Sequence, residues 1–84
     1  MASFLLETYS SHPVPTELAV LTGRARAAAE AAMREGVEVR HVRSFFAPDD
    51  DICFHIFEAP SAEAVARASE LANLDHERIT EVIE

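Results

Sequence analysis

Apolar residues along the chain change period four times, and those changes outline the fold. Ser3 to Tyr9 is rich in Phe and Leu and stops at a Ser- and Pro-containing stretch, as a strand ended by proline does. From Thr16, a candidate helix cap, Leu18, Leu21, Ala25, Ala28, Ala29 and Ala32 recur at helical spacing, and Gly36 supplies a stop. Gly36 to Pro60 then reads as a β-hairpin. Its two runs, Val37 to Phe46 and Asp51 to Ala59, are β-branched and aromatic, and they flank the turn-forming Ala47-Pro48-Asp49-Asp50-Asp51. Pro60-Ser61 opens a second helix with Val65, Ala68, Ser69 and Ala72 on its inner face, and Ser61 is positioned to cap it. A loop over Asn73 to Glu77 leads to a last strand, Arg78 to Ile83. The order βαββαβ predicts an α+β, ferredoxin-like domain over residues 1–84. Its four-stranded antiparallel sheet has order 4-1-3-2, with both helices on one face.

Strand period two sorts residues onto the two faces of that sheet. Placing Phe4, Leu6, Val42, Phe46, Ile52, Phe54, Ile56 and Val82 under the helices leaves an open face. It would carry Leu5, Glu7, Tyr9, Val39, His41, Arg43, Phe45, Cys53, His55, Phe57, Ile79 and Glu81. Such a half-apolar face predicts a homodimer in which two sheets meet as an α/β-barrel-like assembly. In that arrangement Glu7 has Glu81 on one side and His55 on the other, with His41 and Arg43 one strand away and Tyr9 at the rim. Glu7, Tyr9, His41, Arg43, His55 and Glu81 are therefore the candidate ligand-binding set, and His41, His55 and Glu7 the candidate ligands of a divalent metal such as nickel. The plainer reading has Arg43 neutralising Glu7 or Glu81 while the network fixes dimer register. No catalytic residue is assigned.

Composition narrows the classes. With 84 residues the chain makes one domain near the lower size limit for a self-sufficient core, for which oligomerisation is a natural remedy. A net charge of −8 argues against nucleic acid as partner. No stretch is apolar and long enough to span a bilayer, and Met1-Ala2-Ser3 leads into Phe4-Leu5-Leu6 without a basic leader, so membrane association is not expected and a cytoplasmic location is. The single cysteine, Cys53, excludes an internal disulfide and reads as a small buried hydrophobe. Asp49-Asp50-Asp51 lacks the remainder of a calcium loop and reads as a solvated turn. His12 and His76 fall in loops.

Arg43-Ser44, Pro48-x-Asp50, Cys53-Phe54, Phe57-Glu58-Ala59-Pro60, Ser61-x-x-x-Val65 and Arg78-Ile79-x-Glu81 together resemble a family of small bacterial, mainly actinobacterial, domains of unknown function. That family is related to nickel-binding proteins of ferredoxin-like fold. The resemblance covers about half the chain and implies the fold and, through it, a dimer. Nickel-binding relatives look to carry a His-Ser pair in the second strand and a further His in the second helix. Here Arg43 precedes Ser44 and Ala68 stands near the helical position, so His41 and His55 would have to substitute. Three functions are carried forward: a non-catalytic domain holding a nickel-type ion or small ligand at the open face of a homodimer, a small dimeric α/β-barrel enzyme of the cofactor-poor oxygenase or decarboxylase type, and a structural interaction module.

Overall fold

The computed structural model describes residues 1–9, 15–47, 49–74, 76 and 78–83, with backbone alone at 15–17. His12 and the Thr16 side chain lie outside the described residues. The elements are β1 (Ala2–Tyr9), α1 (Pro15–Arg34), β2 (Arg40–Ala47), β3 (Ile52–Ala59), α2 (Ala62–Leu71) and β4 (Arg78–Val82). Their order is βαββαβ, and the sheet order β2-β3-β1-β4 is the expected 4-1-3-2. All three strand pairings are antiparallel. No described helix is long and apolar enough to cross a membrane.

Both helices end in the same hydrogen-bonded device. Gly36 N–H donates to Met33 O (3.0 Å) and Val37 N–H to Ala32 O (2.9 Å) after α1; Asn73 N–H donates to Glu70 O (3.2 Å) and Leu74 N–H to Ser69 O (2.8 Å) after α2. Gly36 and Asn73 take the positive φ this Schellman geometry requires, at 81° and 52°. α1 begins at Pro15, so Thr16 sits inside the first turn and is not the cap. Ser61 does cap α2, accepting from the Ala64 N–H at 3.2 Å.

The core lies between the helices and one face of the sheet. Ala25, Ala28, Ala29 and Ala32 from α1 and Ala64, Val65 and Ala68 from α2 meet Phe4, Leu6, Phe57 and Ala59 from the strands. The run of alanines removes side-chain bulk and lets the helices approach the sheet closely. Val39, expected on the open face, enters this core instead, in the segment just before β2, which starts at Arg40 rather than Val37.

The face assignment differs from the sequence expectation throughout β3 and β4, and at Val39, His41 and Val42 around the start of β2. Residues directly opposite each other in a ladder share a face. Leu6 pairs with His55 and Phe4 with Phe57, so Cys53, His55, Phe57 and Ala59 point to the helices and are buried, while Ile52, Phe54 and Ile56 lie on the open face. In β4, Ile79 pairs with Leu6 and packs on the core, leaving Val82 opposite Ser3 on the other side. The physical reason is that hydropathy favours Ile52, Phe54 and Ile56 as the inner phase of β3, whereas the pairing with β1 sets the other phase, and a shift of one residue turns over the whole strand.

Candidate functional site

β2 carries the irregularity that builds the site. Its ladder with β3 slips between His41 and Arg43, which pair with Phe57 and Ile56, so Val42 is the extra residue of a β-bulge. The bulge holds His41 on the helix-covered side with Ser44, and it turns Arg43 and Phe45 outward. Val42 was expected under the helices and instead stands 41 % exposed.

Four polar side chains consequently line up under the helices. His41 Nε2 is hydrogen-bonded to Ser44 Oγ at 2.9 Å, Ser44 Oγ in turn to His55 Nδ1, and His55 Nε2 lies 3.7 Å from Cys53 Sγ. Phe57 flanks the chain, with its ring edge-on to His41 at 5.6 Å between centroids. His55 and Cys53 are fully buried, and His41 is half-buried at the outer end. Ser44 has one hydroxyl proton, so one imidazole nitrogen beside it donates and the other accepts. The tautomers of His41 and His55 are therefore coupled, and no described buried side-chain polar atom is left unpartnered.

Electrostatics keep every member of this chain neutral. Burial lowers the His55 pKa to about 4, with the positive charge on a protonated His41 adding to the shift. Burial and then the Arg26 guanidinium lower that of His41, partly offset by a backbone hydrogen bond at Arg43. Burial pushes the Cys53 thiol up to about 11. An activated cysteine needs the reverse, a thiolate beside an imidazolium, so this pair is not arranged as a nucleophile and base.

The six expected site residues divide between the two faces. Glu7 pairs with Phe54 and Arg78, Tyr9 with Ile52 and Arg43 with Ile56, all on the open face. His41, His55 and Glu81 share the covered side, Glu81 opposite Phe4 on the exposed outer strand β4. The grouping of Glu7 with His55 and Glu81 is thus corrected: the register places them on opposite sides of the sheet. Arg43 forms no ion pair with Glu7 among the described residues; the ion pairs there are Arg40–Glu58 at 3.2 Å, Arg67–Glu35 at 3.1 Å and Arg67–Glu70 at 3.6 Å. Ser44 is the residue that sequence reasoning missed. Its signal was the alternation His41-x-x-Ser44 across a bulge, which strict period two cannot register.

A family model described as nickel responsive protein SCO4226-like matches residues 11–82. The chain belongs to the SCO4226-like family. A solved structure described as SCO4226 from Streptomyces coelicolor A3(2) shares the fold, with a TM-score of 0.73 and 25 % sequence identity over 99 % of this chain and 98 % of that one. No curated protein matches the chain.

Nickel, which the SCO4226-like description brings in, fits the donors in type but not in number. Neutral imidazoles and a hydroxyl suit a first-row ion. Both ring nitrogens of His55 are, however, already engaged by Ser44 and Cys53, and the thiol is held protonated. Among the described residues no group of three or more His, Cys, Asp or Glu could hold a metal ion. The described residues of a single copy of this SCO4226-like chain therefore do not make up a complete metal site, and no chemical step is routed through one.

Proposed function

We propose that this SCO4226-like protein is a non-catalytic binding domain that works as a homodimer and takes its ligand, a nickel-type divalent ion, weakly at the His41 end of the His41–Ser44–His55 chain. The observation that carries this reading is the hydrogen-bonded run His41–Ser44–His55 with Cys53 behind it, whose half-buried His41 end is the accessible one; burial lowers the pKa of both imidazoles and raises that of the thiol, which opposes nucleophilic turnover. Family membership supplies the choice of ion.

The dimer rests on the open face. There Leu5, Ile52, Phe54 and Ile56 lie side by side, and Phe45 stacks on Phe54 with ring centroids 5.2 Å apart. An antiparallel sheet with a solvated face normally alternates to polar residues there, whereas this face sets an apolar patch among Glu7, Arg43, Glu58 and Arg78. A second copy brings an identical apolar face, and Glu7, Tyr9 and Arg43 would belong to that contact and not to the ligand.

Melting curves with and without NiCl₂ test the ligand site. Nickel is expected to raise the melting temperature of the wild-type protein and not of His41→Ala, while Glu7→Gln keeps the response. Loss of the response in Glu7→Gln with retention in His41→Ala would transfer the site to the open face. Light scattering is expected to give a dimer at micromolar concentration and a monomer for Phe54→Asp; a wild-type monomer removes the dimer.

A further inference from the structure

An open groove of ≈ 820 Å³ lies between α1 and the start of β2 and reaches His41 of the polar chain, within the size range of small-molecule sites. Ala29, Met33 and Val39 give it an apolar floor, and Met33 is 56 % exposed there. Arg26 and Arg34 line it, separated by two turns of α1, and neither is ion-paired among the described residues. Arg26 is also close enough to His41 to act on its protonation. The groove thus sets an exposed methionine beside two guanidiniums that carry no ion pair among the described residues, in a chain whose net charge is −8 and whose Arg40 and Arg67 are paired with carboxylates.

We infer that this groove binds a small organic monoanion, a carboxylate on an apolar body, with the carboxylate on Arg26 and the body along Met33 and Val39. Arginine forks match carboxylate geometry and bind it through charge-assisted hydrogen bonds. Glu30 and Glu38 line the same groove and repel additional negative charge, which selects a monocarboxylate over a phosphate or a dicarboxylate. His41 also lines the groove, where Ser44 holds its ring by a hydrogen bond. The site shares His41 with the proposed nickel position but is anchored by Arg26, so either can stand without the other.

The probe is octanoate, with octanol and suberate as controls, followed by calorimetry and by chemical shifts of Met33 and Val39. Octanoate is expected to bind saturably and to shift both residues, octanol and suberate to bind about tenfold or more weakly, and Arg26→Gln to lose octanoate binding by a similar factor, as befits one charge-assisted contact. The nickel response of Arg26→Gln should persist, which separates this site from the metal reading. Octanoate that fails to saturate, octanol binding as well as octanoate, or an unchanged affinity in a folded Arg26→Gln protein would each overturn the proposal. So would a change of oligomeric state in Arg26→Gln, since the groove would then be a contact between copies.

Discussion

The two faces of the sheet are built from similar amounts of apolar side chain, yet they do different work. The covered face mixes Phe4, Leu6 and Phe57 with Ser44, Cys53 and His55, and seals the polar groups by pairing them with one another. The open face gathers Leu5, Ile52, Phe54, Ile56 and Phe45 into an apolar patch among Glu7, Arg43, Glu58 and Arg78. Buried polar groups on one side are matched by an uncovered apolar patch on the other. A core polar group costs little when its hydrogen bonds are complete, and an outward apolar patch is stable when another surface meets it. The proposed function rests on that difference, with the ligand on the helix side and association through the other.

Truncating equivalent aromatic rings on the two faces breaks this comparison most strongly. Phe57→Ala should cost about 3 to 5 kcal/mol of folding stability at any protein concentration, by removing a fully buried ring. Phe54→Ala should cost less in dilute protein and more as concentration rises, because in the proposed dimer its loss is felt at the contact between copies. Urea titrations at two concentrations check both.

Acid should act through the covered face alone. The pKa of His55 is lowered in the fold from its ordinary 6.5 to about 4, so the unfolded chain binds the proton more readily. Stability is then full above pH 6.5 and falls as pH drops towards 4, by ~3 kcal/mol. Denaturation at pH 7, 5.5 and 4 should show this slope, and His55→Gln should flatten it. An equal slope in His55→Gln would place the acid sensitivity elsewhere.

Ser44→Ala sharpens the comparison at a single bond. It leaves one nitrogen on each histidine without its partner and should cost about 1 to 3 kcal/mol, most of it from buried His55. The smallest effect belongs to Arg43→Ala, below about 1 kcal/mol in dilute protein, since Arg43 is exposed and has no described ion pair. A loss of several kcal/mol there would mean a buried carboxylate partner.

Element order and strand order were legible because each segment announced itself locally. The alanine ladder of α1 has helical spacing, the glycine at 36 takes the left-handed cap, and the hairpin turn is rich in Asp. The phase of β3 was not legible, because Ile52, Phe54 and Ile56 outrank Cys53 and His55 in hydropathy and still face outward. What decides the phase is long-range register, Leu6 against His55, reinforced by Ala59 fitting beneath the helices where a larger side chain would not. The bulge at Val42 was equally hidden, since one inserted residue leaves no compositional mark. His41 and His55 were found as candidates and then placed with the wrong neighbours; Arg43 and Glu7 were put on the correct face but not in contact.

The most direct test of the account is a nickel titration at pH 7 followed by side-chain nitrogen spectra of the histidines together with the signals of Glu7 and Tyr9. The account predicts that His41 responds first and His55 after it, with Glu7 and Tyr9 unmoved and His76, which is bonded to Ser69 at 3.1 Å, serving as the internal reference. Changes centred on Glu7 and Tyr9, with His41 and His55 silent, would contradict it and return the ligand site to the open face of the sheet.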